Sequence, residues 1–157
     1  MKLVATIGTT GTFARFSSLI AEVMVQRPGL ELVFQAGRGP TPELPGSFTF
    51  LPREELLAHM RSATLVVCHG GSGSVRDALR TCGNVAIVPR RADCGEGVVD
   101  DHQLDLSRAL EARGLVRVVS SAAEIVALLD APRPAASAGG DALPAAVVQA
   151  LRRVMRC

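Results

Sequence analysis

Val66-Val67-Cys68-His69-Gly70-Gly71-Ser72-Gly73-Ser74-Val75-Arg76-Asp77-Ala78-Leu79 is the stretch that decides the reading of this chain. An apolar run of strand length empties into small residues, and a helical pattern starts straight after them. Such a turn lets backbone N–H groups and a helix N-terminus approach an anion with no side chain in the way. A phosphate or diphosphate is its natural guest. A Gly/Ser turn that binds nothing is the other reading, and the surrounding chain has to decide between them.

Outward from that turn, strand and helix patterns alternate. Upstream, strands are expected over residues 2–7, 30–35, 48–51 and 64–68. The first is followed by a helix with Phe16, Leu19, Ile20, Val23 and Met24 on one face, and another spans 54–61 with Leu56, Leu57 and Met60 inward. Downstream, a helix over 74–81 leads to a strand over 84–88 that Pro89 ends. A further helix begins near Asp101 with Leu104, Leu106, Ala109 and Leu110 apolar, then a strand over 115–119 and a helix over 122–129 capped by Ser120 or Ser121. This predicts an α/β fold, Rossmann-like, with a mostly parallel sheet covered by helices on both faces. The domain should fill residues 1–130, followed by a Pro/Ala/Gly/Ser-rich linker over 131–142 and a terminal amphipathic helix within 143–157.

The bulk properties agree. With 157 residues the chain has room for one core. Hydrophobic residues make up 48% but aromatics only 3%, so Val, Leu and Ala must fill the buried strands. A net charge of +2 with no interleaving of aromatic and basic residues excludes electrostatic or stacking-based nucleic-acid binding. Cys68, Cys82, Cys94 and Cys157 show neither metal nor redox spacing and fit reduced thiols in the cytoplasm. No run approaches membrane-spanning length. No cofactor and no metal are expected.

In such sheets ligands sit beyond the carboxyl ends of the strands. Three segments fall there: residues 8–11, 69–74 and 89–103. The turn Gly8-Thr9-Thr10-Gly11 lacks the full G-x-G-x-x-G pattern, no acidic residue ends the second strand, and no P-loop lysine occurs. NAD and ATP enzymes of those types are therefore poor candidates. The turn borders a sugar or phosphate, or it is only a tight turn. Asp77 either favours the helix dipole or accepts the paired hydroxyls of a ribose. His69 is a packed residue or a catalytic one. Arg90 and Arg91 leave the fifth strand near the site or are simply solvated, and Glu96 is a candidate for a sugar hydroxyl or for proton transfer. Asp100-Asp101-His102-Gln103 supplies a helix cap or contacts to sugar hydroxyls. Without a metal cluster, helix N–H groups and arginines would stabilise a departing diphosphate.

These residues resemble a known family. Cys68–His69-Gly70-Gly71-Ser72-Gly73-Ser74 with Asp77 and Leu79 is similar to the Ser-His-Ala-Gly-x-Gly-Ser…Glu-x-Leu signature in the donor-binding half of GT-B glycosyltransferases. The branch is that of MurG-like enzymes and of the catalytic subunit of the dolichol-linked N-acetylglucosaminyltransferase. Val88-Pro89-Arg90, Gly95-Glu96 and Asp100-Asp101-His102-Gln103 look closer still to short bacterial exopolysaccharide glycosyltransferase subunits of the PssE type. Thr6-Ile7-Gly8-Thr9-Thr10 also matches, and the likeness covers roughly residues 1–129. Gly97 replaces the usual His, the loop is one residue longer before Asp100, and Asp77 stands where Glu is usual.

The resemblance implies half of a GT-B architecture and a hexosyltransferase that uses a UDP-sugar, inverting and metal-independent, in polysaccharide biosynthesis. His69, Gly70, Gly71, Ser72, Gly73 and Ser74 would cradle the diphosphate, and Asp77 would contact the ribose. Phe50 and Leu51 would face the uracil, and Gly8, Thr9 and Thr10 would border the site. Asp101, His102 and Gln103 would hold the donor sugar with Arg90 nearby, and the catalytic base would be His69, Glu96 or a partner's residue. A complete GT-B enzyme has a second domain for the acceptor, so the resemblance implies a membrane-associated partner subunit. That partner would supply the site for a lipid-linked acceptor and recruit the chain to the inner membrane face, with the terminal helix as a possible docking element. A non-catalytic nucleotide-sugar-binding module that activates a partner is the alternative.

Overall fold

The first apolar run forms β1 (Lys2–Thr6). Helix α1 (Ala14–Gln26) follows, with Phe16, Leu19, Ile20 and Val23 buried as their i, i+3, i+4 spacing requires. The chain continues through β2 (Glu31–Gln35), β3 (Ser47–Phe48), α2 (Arg53–Ser62), β4 (Leu65–His69), α3 (Ser72–Thr81) and β5 (Val85–Val88). A short 3-10 turn (Ala92–Cys94) precedes α4 (His102–Glu111), β6 (Arg117–Val118) and α5 (Ala122–Asp130). The computed structural model describes residues 1–9, 12–38, 41–94, 96, 102–132 and 148. The linker expected over 131–142 lies outside the described residues from 133 on, as does the terminal helix apart from Val148.

The six strands form one sheet in the order β3-β2-β1-β4-β5-β6, and every pairing is parallel. Alternate residues divide the core into two layers. Leu3, Ala5, Leu65 and Val67 face α1 and α5 with Phe16, Ile20 and Ile125. Val4, Val66 and Cys68 face α2, α3 and α4 with Met60, Val75 and Leu110. Fully burying a side chain of this size contributes about 1.5–3 kcal/mol, and both faces of the central strands are buried in this way. This is why those strands read as continuous apolar runs. The chain runs from β1 outward to β3, then crosses back to β4 on the other side of β1. The strand order reverses there, so a crevice opens beyond the carboxyl ends of β1 and β4.

Three elements differ from their sequence expectations. β3 stops at Phe48 rather than reaching residue 51. Its last ladder bonds are from Ala36 N to Phe48 O (2.8 Å) and from Gly37 N to Thr49 O (3.0 Å), after which the Leu51 amide donates to the Gln35 side chain instead. β6 shrinks to Arg117–Val118 at the opposite edge, paired with Ala86 and Ile87. α3 begins at Ser72, two residues before the expected start, because the Gly71 carbonyl already accepts from Val75 N at 3.0 Å. That moves Asp77 out of the first turn. α5 starts at the expected cap: Ser121 and Glu124 form a reciprocal capping box. Among the described residues no helix is long and apolar enough to cross a membrane.

Candidate functional site

Because β1, β4 and β5 are neighbours, the turns that follow them converge. Between the first two lies a cleft of about 500 Å³. Gly8 and Thr9 from the turn after β1 form one wall, His69 and Gly71 to Ser74 a second, and Phe50, Leu51 and Arg53 a third, with Asp77 and Gln103 at its sides. Of the candidates named from sequence, Gly8, Thr9, Phe50, Leu51, His69, Gly71, Ser72, Gly73, Ser74, Asp77 and Gln103 line this one cavity.

The glycines of the α3 turn do different work. A Cβ on Gly71 would lie 2.2 Å from His69 Nε2, and one on Gly8 would lie 2.6 Å from His69 Cε1. The imidazole is thus wedged between two glycines, and Gly8 also adopts a φ of +77° that disfavours any side chain. Gly70 is pressed against α4, where a Cβ would meet Gln103 Cβ at 2.8 Å. Gly73 is different: a Cβ there would meet nothing within 4 Å, in the first turn of a helix whose N-cap, Gly71, makes no side-chain cap bond. Among the described residues no neighbouring atom and no unusual backbone angle requires glycine at that position. What it provides is uncovered helix N-terminal backbone facing the cleft, where the first N–H groups lack intrahelical acceptors.

His69 is 8% exposed, and its Nδ1 has no hydrogen-bond partner among the described residues. Burial, helped by the charge of Arg90 and opposed by the Thr6 backbone, lowers its pKa to about 4. The ring is therefore neutral at pH 7. Asp77 bonds Arg53 Nη2 at 2.9 Å, with Arg76 Nε at 3.6 Å. Its second-turn position puts it beyond the reach of the helix-dipole account, since that effect fades within the first turn. Gln35, at the end of β2, is buried below the cleft and holds the Leu51 amide.

Arg90 and Glu96 belong to a second group on the far side of β4. Arg15 of α1 donates to Glu96 through Nε (2.7 Å) and Nη2 (3.0 Å), and Nη2 also reaches the Pro89 carbonyl (2.8 Å). The Arg91 amide donates to Glu96 Oε2 at 2.9 Å. Burial alone would raise the Glu96 pKa, but these bonds and the charges of Arg15 and Arg90 hold it below the usual carboxylate range. Arg15 is shifted upward, chiefly by its bond to Glu96. Arg90 is buried rather than solvated, its guanidinium over the Phe13 ring at 5.2 Å and its Nη2 donating to the Ile7 carbonyl at 3.4 Å. Its backbone N–H donates to Gln103 Oε1 at 3.3 Å, which links this group to the cleft.

Gly70 packs against Gln103 and Ser107, and neither it nor Arg90 or Glu96 is among the described residues that line the cleft. His102 opens α4. Thr10 and Asp101 lie outside the described residues. Among the described residues no three His, Cys, Asp or Glu side chains converge as a metal site would need. Sequence reasoning missed Thr6, Gln35, Arg53 and Arg15. A polar residue ending an apolar strand was the available signal for Gln35. None existed for Arg15, whose partner is 81 positions away.

A parallel sheet in this order, with a glycine-lined helix N-terminus at the reversal of strand order, defines an open α/β domain of the Rossmann-like class, in which ligands sit at that reversal. The glycosyltransferase family 28 C-terminal domain matches residues 7–136, and the chain belongs to that family. The fold is that of the C-terminal half of GT-B glycosyltransferases. The chain is similar to the glycotransferase of kitacinnamycin (21% identity, TM-score 0.59, 99% of this chain and 38% of that one). It is likewise similar to the glycosyltransferase SnogD from Streptomyces nogalater (21% identity, TM-score 0.52, the same coverage). The chain therefore spans well under half the length of these structures. A comparison with curated proteins finds no match.

Proposed function

We propose that the chain is the donor-binding part of a glycosyltransferase that moves a hexose-type sugar from a UDP-sugar to a lipid-linked acceptor. The observation that carries this reading is Gly73, which lines the cleft in the first turn of α3 with nothing among the described residues requiring a glycine there. The diphosphate binds the N–H groups of that turn, which act on an anion with the helix dipole behind them. Asp77, across the same cavity, accepts from the ribose hydroxyls, with Phe50 and Leu51 against the base. The donor sugar extends toward Gln103, with Asp101 and His102 as further contacts. Oriented amides then stabilise the charge that develops on the departing diphosphate, without a metal.

As the structure holds them, the two candidate bases in this chain are weakly basic. His69 has a pKa of about 4, and Glu96 is occupied by Arg15 and the Arg91 amide. A general base works best with a pKa near the operating pH. We propose that a partner subunit at the inner face of the membrane supplies the acceptor site and either the base or the surroundings that activate His69 or Glu96. Calorimetry with UDP and a panel of UDP-sugars tests the binding half. Co-expression with a candidate partner and a lipid-linked acceptor tests transfer. Asp77→Ala with Gln103→Ala should abolish transfer; activity that survives both would remove these residues from the site. A donor complex that forms while no substitution in this chain stops transfer without also stopping binding or assembly would favour the non-catalytic alternative.

A further inference from the structure

We propose that Thr6 and Gln35 are positioning residues that lock two walls of the cleft into one unit. The two face each other at the last rung of the β1–β2 ladder. Both are buried, at 1% and 5% exposure. A valine at position 6 and an aliphatic residue at position 35 would suit such a sheet better, because burying a hydroxyl and an amide is unfavourable unless both are bonded. Their bonds go to backbone that the ladder itself does not reach. Leu51 N donates to Gln35 Oε1 at 3.1 Å, Gln35 Nε2 donates to Thr6 Oγ1 at 3.3 Å, and Gly8 N donates to the same Oγ1 at 3.2 Å.

The result is a continuous chain of hydrogen bonds along the floor of the cleft, which Thr6 and Gln35 themselves line, from the Phe50–Leu51 wall to the turn that carries Gly8 and Thr9. Both ends are irregular segments that line the cavity. Gly8 in turn lies against the His69 ring, so the relay ends next to the α3 turn. Each polar side-chain atom of the relay has at least one partner, and buried bonds shared in this way restrict their members to few arrangements. On the donor-site reading, the relay fixes the distance between the base-facing wall and the diphosphate-facing turn before nucleotide arrives, and that preorganisation raises affinity.

The test compares the full chain with Thr6→Val, Thr6→Ser and Gln35→Leu. Thr6→Val keeps the shape but leaves Gly8 N and Gln35 Nε2 without an acceptor, whereas Thr6→Ser keeps the hydroxyl. UDP affinity by calorimetry should fall about tenfold in Thr6→Val and in Gln35→Leu, and stay within about twofold in Thr6→Ser. The Thr6→Val, Gln35→Leu double variant should bind little worse than either single one, because both break the same relay. Amide hydrogen exchange, measured without nucleotide, should accelerate at Leu51 in Thr6→Val, although Thr6 bonds Leu51 only through Gln35.

Variants that melt earlier yet bind UDP like wild type below their Tm, with Leu51 exchange unchanged, would overturn the proposal and leave Thr6 and Gln35 as ordinary structural residues. If Thr6→Val does not fold, the same outcomes are read from Gln35→Leu at the Gly8 amide. Failure of the wild-type chain to bind UDP would overturn the donor-site reading, while the exchange coupling still decides whether the two walls are linked.

Discussion

Asp77 and Glu96 are both carboxylates at the ligand end of the same sheet, and they are held in opposite ways. Glu96 has a side chain only 9% exposed and receives two bonds from Arg15 and one from the Arg91 amide. Asp77 lines an open cavity, and its closest cationic partner, Arg53, is 56% exposed. Asp77 is itself 17% exposed, but a pair whose cation is so solvated is worth about 0–1 kcal/mol, so a ligand can displace Arg53 at small cost. A buried, multiply bonded carboxylate cannot be recruited so cheaply. Asp77 is thus available for recognition, whereas Glu96 ties the segment after β5 to α1. His69 stands between the two regions, with the cleft on one side and the charge of Arg90 on the other.

The sharpest way to break this contrast is to remove the arginine that saturates Glu96. Arg15→Met should cost about 3 kcal/mol in urea denaturation, because it strands a nearly buried carboxylate. A loss under about 1 kcal/mol would show that Arg90 and the Arg91 amide hold Glu96 by themselves.

The residue between the regions gives the next largest effect. In the unfolded chain its imidazole takes up a proton below about pH 6.5, but in the folded protein only near pH 4. Between those values the unfolded state binds more protons, so stability falls as pH drops. The decrease from pH 7 to pH 5 should be about 2 kcal/mol, and His69→Asn should remove that slope. Parallel pH profiles for the two proteins would mean that His69 is not held neutral.

On the open side the effects move from stability to binding. Asp77→Asn should weaken UDP about fivefold in calorimetry while changing unfolding free energy by less than about 0.5 kcal/mol. Equal affinities would remove Asp77 from ribose recognition. Arg53→Ala should be the mildest, within about twofold in UDP affinity. A larger loss would make Arg53 itself a ligand contact rather than a displaceable partner of Asp77.

Much of the fold was legible because its signals are local. The i, i+3, i+4 pattern of Phe16, Leu19 and Ile20 makes α1 visible, and the serines at 120 and 121 mark the start of α5, of which Ser121 is the cap. The apolar runs of β1, β4 and β5 signalled strands buried on both faces. The pattern overextends β3 because Phe48 to Leu51 looks like a strand, while the Gln35 side chain captures the Leu51 amide and ends the ladder. It starts α3 two residues late because Ser72 and Gly73 read as turn residues, yet the Gly71 carbonyl closes the first helical bond. The cleft lining was mostly legible, since strand ends and glycines announce themselves. Its floor was not, because Thr6 and Gln35 are single polar residues at strand ends.

By itself the sequence determined the alternation of strand and helix, the glycine-rich turn after β4 and the end of the sheet where a ligand would sit. All of these follow from the order of residues within one element or its neighbour. Only the tertiary structure decided which charged residues are bound up and which face the cavity. Arg15 and Glu96 meet across 81 positions, and Gly8 and Gly71 are glycines because the His69 ring lies between them. Burial and distance set the state of a carboxylate or an imidazole, and both depend on which strands become neighbours.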